Sequence, residues 1–298
     1  MIRVRGSCPE DEHEHVSRAR SLQRAFFNSL LLAILYLLSI SSFAAANPFD
    51  DASAAYERGD YVQAVKLFRQ LAENGHQWAQ RRLGSMYAEG KGVPQDYLEA
   101  VKWYRLAAAQ GNVAAQYSLG LAYEKGQGVP QDYQEAVKWY RIAATREDQW
   151  AQTRLGSIYA EGKGVPQDYK EAMKWYRLAA AQGHAPAEYS LGLAYEKGQG
   201  VPQDYKEAVK WYRLAAAQGN QFAQINLGVM YTDGTGVRQD FVRAYVWFNL
   251  AAAALNGNSG DAATKNLDRI AAKMTAEQIA TAQEMARRCQ ESKLKNCD

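Results

Sequence analysis

GVPQDYLEAVKWYRLAAAQG, residues 92–111, is the stretch from which the fold can be read, because the chain says it again and again. Trp103, Trp139, Trp175, Trp211 and Trp247 are each 36 residues apart. Gly84, Gly120, Gly156, Gly192 and Gly228 keep the same spacing, as do Val93, Val129, Val165, Val201 and Val237. A fixed period between about 20 and 50 residues marks a solenoid: one unit cannot bury its own apolar face, and stacking supplies the cover.

Each period reads as two helices. The first, NVAAQYSLGLAYEKG (112–126), sets Ala115, Leu119 and Tyr123 at helical spacing. The second, DYQEAVKWYRIAA (132–144), sets Ala136, Trp139, Tyr140 and Ala143 on one stripe. Both show the recurrence of an amphipathic helix. Gly120 inside the first helix costs about 1 kcal/mol against alanine, so its recurrence predicts a close helix approach with no room for a side chain. Asp96-x-x-Glu99, Asp132-x-x-Glu135, Asp168-x-x-Glu171 and Asp204-x-x-Glu207 have the layout of a capping box. Proline two residues earlier stops the first helix from running on. Gly111, Gly183 and Gly219 close the second helix as left-handed caps. Glu147 stands where the third turn should have glycine, and predicts a locally different turn there.

A longer period lies over the short one. YSLGLAYEKGQGVPQDY occurs identically at 117–133 and 189–205, while QRRLGSMYAEGKGVPQDY (80–97) is close to QTRLGSIYAEGKGVPQDY (152–169). The duplicated block is therefore a pair of units, 72 residues long, and any surface built from it alternates.

The array has worn ends. Residues 47–59 predict one short helix, and 60–75 align with 96–111 but lack the GKGVPQ insertion, with Leu67 and Phe68 in place of Trp103 and Tyr104. In the last unit (220–253) the capping glutamate is replaced by Arg243. Residues 256–261 read as a polar loop, 262–273 as a helix, and Thr275-x-x-Gln278 as the start of a final helix, from 276 to about 290. The expected division is a leader (1–46), a divergent helix pair (47–75), five units (76–256), and capping helices with a tail (257–298). The fold class is all-α.

The leader carries an apolar run, AFFNSLLLAILYLLSI (25–40), behind Arg18, Arg20 and Arg24, with Ala44-Ala45-Ala46 after it. This is the layout of a secretory signal peptide, cut between Ala46 and Asn47. The run falls short of the roughly 20 residues of a spanning helix; an uncleaved anchor is the alternative, and either way the repeats lie outside the cytoplasm. Glu10, Asp11, Glu12 and Glu14 suit a leader poorly, so Val16 is the expected true start. Cys8 leaves with the leader, and Cys289 and Cys297 remain as an even pair in an exported chain. They are expected either as one local disulfide or as two free thiols. Net charge is +3, and +2 once five arginines and four acids go with the leader. That balance argues against nucleic acid, which needs clustered basic residues.

The signature A-x-x-x-L-G-x-x-Y, then G-x-G-V-x-x-D, then A-x-x-W-Y-x-x-A-A is carried by Ala115, Leu119, Gly120, Tyr123, Gly126, Gly128, Val129, Asp132, Ala136, Trp139, Tyr140, Ala143 and Ala144. These residues resemble the Sel-one-like repeat (SLR) family, a branch of the tetratricopeptide-repeat superfamily. The resemblance implies a right-handed superhelical solenoid of antiparallel helix pairs. It also implies an adaptor for protein complexes, of the exported bacterial kind, with a protein or peptide partner. Some exported members act on β-lactams, and those carry a disulfide in each repeat; this chain has no cysteine within its repeats.

No catalytic constellation is visible, and neither a cofactor nor a metal site is expected. His76 and His184 lie at equivalent turns three units apart and read as solvated. Ser118 and Ser190 have no histidine in reach, and the recurring acids are explained by capping. The tryptophan stripe reads as packing between helices. In the tetratricopeptide fold the first helix of each unit lines the concave face. Matched on Leu119-Gly120, that geometry carries the groove onto Tyr117, Leu121 and Lys125, with Ala114 and Glu124 beside them. The equivalents are Trp78, Arg81, Trp150, Tyr189, Leu193, Lys197 and Phe222. Such a groove suits an extended or helical peptide; a cell-wall polysaccharide binder and a hydrolase of cell-wall peptides or β-lactams are the alternatives. Contact with a membrane is expected only through an uncleaved leader.

Overall fold

The computed structural model describes residues 47–254, 258–294 and 297. The leader with its cleavage point, the expected start at Val16, and Cys8 lie outside the described residues. Fourteen α-helices and no strand are found among the described residues. The chain divides into two compact units, one ending at Leu67 and one running from Phe68 to Asp298.

In the first unit, Asn47 caps α1 (Pro48–Glu57) by accepting the Phe49 N–H at 3.1 Å, with Pro48 in the first turn. Ala52, Ala55, Ala64 and Val65 are buried there, the last two on α2 (Tyr61–Glu73), within which the boundary falls.

The second unit is built of helix pairs: α3 (Gln77–Glu89) with α4 (Tyr97–Ala109), α5 (Val113–Lys125) with α6 (Tyr133–Ala144), α7 (Gln149–Glu161) with α8 (Tyr169–Ala180), α9 (Ala185–Lys197) with α10 (Tyr205–Ala217), and α11 (Gln221–Asp233) with α12 (Phe241–Ala254). Each pair closes on its glycine. A Cβ on Gly120 would lie 2.6 Å from the Tyr140 ring, and one on Gly192 would lie 2.5 Å from the Tyr212 ring. Tyr104, Tyr176 and Phe248 cover Gly84, Gly156 and Gly228 in the same way. The stripe on the second helix is thus anchored by the ring after the tryptophan. Tyr140 and Tyr212 are fully buried, while Trp139, Trp175 and Trp211 are half-buried and rest on the core of the preceding unit.

The PQD loop satisfies the end of the first helix. Gln95 donates from Nε2 to the Ala88 carbonyl at 2.8 Å, and the Asp96 N–H donates to the Tyr87 carbonyl at 2.9 Å. Gln131, Gln167 and Gln203 repeat the first bond, and Asp132, Asp168 and Asp204 the second. Helix ends leave orphan carbonyls, and here the loop pairs them. This corrects the capping box: Asp96 does accept the Glu99 N–H at 2.9 Å, but its own N–H is already taken by Tyr87. Glu99 turns to Lys102 instead, at 2.8 Å. The reciprocal box does form at Thr275 and Gln278, where α14 (Ala276–Glu291) starts.

Units are tied to one another by a periodic bond. Arg69, Arg105 and Arg177 reach the hydroxyls of Tyr87, Tyr123 and Tyr195 on the next first helix at 2.6, 3.1 and 3.3 Å, and Arg141 does the same to Tyr159. Gln80, Gln116, Gln152 and Gln224, all buried, donate to carbonyls at the end of the preceding second helix.

The third turn is not remade. Glu147 adopts φ 65°, the left-handed conformation that Gly111, Gly183 and Gly219 hold in the other turns, so the backbone keeps its path on an unsuited residue. An L-residue pays about 1–2 kcal/mol there. Glu147→Gly is expected to stabilise the chain by about 1 kcal/mol, read as a shift of the urea midpoint at unchanged slope.

At the far end, α13 begins at Asn258, inside the stretch expected to be a polar loop, and runs to Ala271. With α14 it covers Trp247, Phe248 and Leu250 of α12. Cys289 and Cys297 are bonded, with Cα atoms 4.8 Å apart, and both are buried in this cap.

Candidate functional site

The first helices α3, α5, α7, α9 and α11 carry the predicted groove residues. Trp78 and Trp150 are 52% exposed and Phe222 is 49% exposed, in identical register on alternate units. Tyr117 and Tyr189 lie between them, half-buried, their rings 5.7 and 5.8 Å from Tyr140 and Tyr212. Tyr189 also meets Phe222 at 6.1 Å. Arg81 is half-buried. Leu121 and Leu193 are half-buried and line small crevices shared with Tyr104 and Tyr176 of the preceding units. Lys125 and Lys197 are exposed on the last turns of α5 and α9, where their charge complements the helix dipole.

Beneath the aromatics lies an alternation that obeys hydrogen-bond accounting. A buried tyrosine hydroxyl needs a partner. Tyr104 and Tyr176 find Ser85 at 3.3 Å and Ser157 at 3.2 Å. Leu121 and Leu193 stand in the serine positions of the other units, and there Tyr140 donates to Glu124 Oε2 at 2.6 Å and Tyr212 to Glu196. In the fifth unit the covering ring is Phe248, without a hydroxyl, and Val229 occupies the serine position. Burial, then the glutamate, pushes the hydroxyls of Tyr140 and Tyr212 well above the ordinary tyrosine value.

The first of these glutamates also holds a cation. Arg154 of α7 approaches Glu124 Oε1 at 3.4 Å, and its positive charge works against the upward push that burial gives the Tyr117 hydroxyl. At the duplicate position α11 carries Asn226, a neutral amide in place of the arginine.

His184 is not solvated: only 5% exposed, it lies edge-on to Trp150 at 4.4 Å, with Nδ1 2.8 Å from Thr153 Oγ1. His76 is exposed and caps α3 by accepting the Ala79 N–H at 3.3 Å. Burial lowers the pKa of His184 below its usual 6.5. Burial likewise raises that of Glu188, which stands where other units have glutamine and which accepts from Gln218 at 2.7 Å. The unfolded chain binds the His184 proton more readily, so this contribution to stability is present above pH 6.5 and lost as pH falls through the lower folded value. Glu188 has the opposite sign, favouring the fold below 4.5 and losing that contribution as pH rises through its raised value. In a Glu188→Gln background, melting temperature is expected to fall below pH 6.5, and adding His184→Asn should flatten that limb.

Ser118 and Ser190 donate to the carbonyls of Ala114 and Pro186 on their own helices at 2.9 Å. Among the described residues no cluster of acids, histidines or cysteines could hold a metal, and no helix is long and apolar enough to cross a membrane. A cleft of about 630 Å³ opens between Arg213, Arg238, Arg243, Tyr231 and Gln278, and none of the ten predicted groove residues lines it.

A family profile described as the Sel1 repeat matches residues 53–76, 79–112, 113–148, 151–184, 185–220 and 221–254. The chain belongs to the Sel1 repeat family. Its first matched segment falls in the divergent helix pair before the five full units. A crystal structure of a Sel1 repeat protein from Oxalobacter formigenes is 35% identical, with a TM-score of 0.70, over 81% of this chain and 99% of that one. A protective antigen of uropathogenic Escherichia coli with an SLR fold is 43% identical, with a TM-score of 0.61, over 64% of this chain and 41% of the antigen. The chain thus spans less than half of that antigen's length. A search of curated proteins returns no match. The Sel1 repeat fold is typical of scaffolds for protein–protein interaction and is generally non-catalytic.

What the sequence missed is the layer below the groove: Tyr140, Tyr212, Arg154 and His184. The signal was present in the 72-residue period, where Ser85 with Ala88 alternates against Leu121 with Glu124.

Proposed function

We propose that this Sel1 repeat protein is an exported adaptor, periplasmic or secreted, that holds an extended segment of a protein partner along its first-helix face. The observation that carries it is the row of Trp78, Trp150 and Phe222, half exposed in one register on rigid helices. Large rings held by packing lose little freedom on binding, and such residues dominate interface energies. Tyr117, Tyr189 and Arg81 fill the positions between them. The leader's apolar run and its Ala44-Ala45-Ala46 site support export.

The test is affinity capture from periplasmic extract with the wild type and with Trp78→Ala, Trp150→Ala, Phe222→Ala combined. All three rings are about half exposed, so the variant is expected to keep its helical circular dichroism and a cooperative melt. Loss of a partner by the folded variant supports the groove; retention places binding elsewhere. Capture of purified sacculi in place of protein would favour a polysaccharide partner. Cell fractionation with N-terminal sequencing tests export, and a mature chain starting at Asn47 is the expected result.

A further inference from the structure

Resting on that groove assignment, we propose that the cradle formed by Glu196, Tyr212, Tyr189 and Phe222 receives an arginine side chain of the partner peptide. The chain itself shows what such a cradle holds. Its duplicate 72 residues earlier sets Glu124, Tyr140, Tyr117 and Trp150 in the same register, and there the glutamate has Arg154 Nη1 at 3.4 Å on Oε1. Tyr140 occupies the other oxygen, Oε2, at 2.6 Å.

The second cradle keeps every part but the cation. Tyr212 donates to Glu196 Oε2, which leaves Oε1 as the oxygen equivalent to the one that carries Arg154. Asn226 replaces the arginine, and a neutral amide supplies no charge there. Among the described residues no cation lies within ion-pair distance of Glu196. A half-buried carboxylate has lost part of its hydration, and a guanidinium arriving in the arginine's place restores a charge-assisted bond. Phe222, 49% exposed and 6.1 Å from Tyr189, adds an aromatic face beside that position, where a guanidinium can stack. The first cradle is closed by the chain's own residue; the second is open to a partner's.

Short random peptides displayed on phage, selected on the full immobilised chain, provide the test. Binders are expected to share one arginine. In a synthetic binder followed by fluorescence anisotropy, replacing that arginine by glutamine should weaken binding about tenfold or more. Glu196→Gln keeps an acceptor for Tyr212, and Asn226→Arg fills the cradle from within; each should bring the arginine peptide down to the level of the glutamine one. Arg154→Asn should open the first cradle and enrich peptides with two arginines. Binders without a shared cation, or an arginine preference that survives both Glu196→Gln and Asn226→Arg, overturn the cation cradle alone. No enriched peptide at all overturns the groove with it.

Discussion

Gly120→Val is expected to destabilise the protein by about 3 kcal/mol or more, although valine is the better helix former of the two. The added Cβ would lie 2.6 Å from two carbons of the Tyr140 ring, closer than any packed carbon. The ring has nowhere to go: it is fully buried, and its hydroxyl is held by Glu124 at 2.6 Å. The change must therefore part α5 from α6. The second substitution that makes this a test is Tyr140→Ala. It is itself costly, by about 3–5 kcal/mol, as a cavity replaces the ring. In that background, however, Gly120→Val fills vacated space and should be neutral or stabilising. Urea midpoints for the four proteins of this cycle give the coupling. Additive effects would show that the glycine is not there for the ring.

Removal of α13 and α14, by ending the chain at Ala254, has the other large effect. The cap covers Trp247, Phe248 and Leu250, each at most 4% exposed. Ile270, Ala282, Ala286 and Cys289 are the buried faces that do so. Phe248 keeps its seat on Gly228, so at about 1.5–3 kcal/mol for each of Trp247 and Leu250 returned to water the loss is about 3–6 kcal/mol. It also leaves an apolar end with no partner, which a repeat array tolerates poorly. The truncated chain is expected to melt at least about 10 °C lower and to self-associate more than the intact chain in sedimentation. An unchanged melting temperature would mean that α12 is stable without cover.

The helix pairs were legible because spacing alone reports them: Gly120 and Trp139 repeat at fixed distance whatever they touch. Their partners were less so. Trp139 looks like the anchor by size, yet Tyr140 takes the buried place under the glycine, since only the adjacent position on α6 faces Gly120. His184 looked like a turn residue because its burial comes from Trp150 and Thr153, about one period upstream, and no local pattern reports such a contact. Glu147 breaks the glycine pattern in sequence without breaking the turn, since its backbone takes the same left-handed conformation. A neighbouring Arg146, which donates to the Gly111 carbonyl at 2.7 Å, holds the turn in the path its glycine relatives follow. The exposed row of Trp78, Trp150 and Phe222 came from matching positions, whereas the cradles beneath it depend on side chains from three helices at once.

The matching of tyrosine hydroxyls to serine in one unit and to glutamate in the next bears on how such a chain can change length. The identical segments at 117–133 and 189–205 offer a site for unequal crossing-over. Recombination there removes 72 residues, rejoins Tyr117 to the serine at 190, and sets Gln116 where Glu188 had faced Gln218. Loss of one unit alone would set two units of one kind side by side and leave the alternation broken. The lengths reached by this exchange therefore differ by two units at a time. The shortest of them would lose Arg154 and Glu124 together while keeping Glu196 and Asn226, so that the open cradle outlasts the closed one.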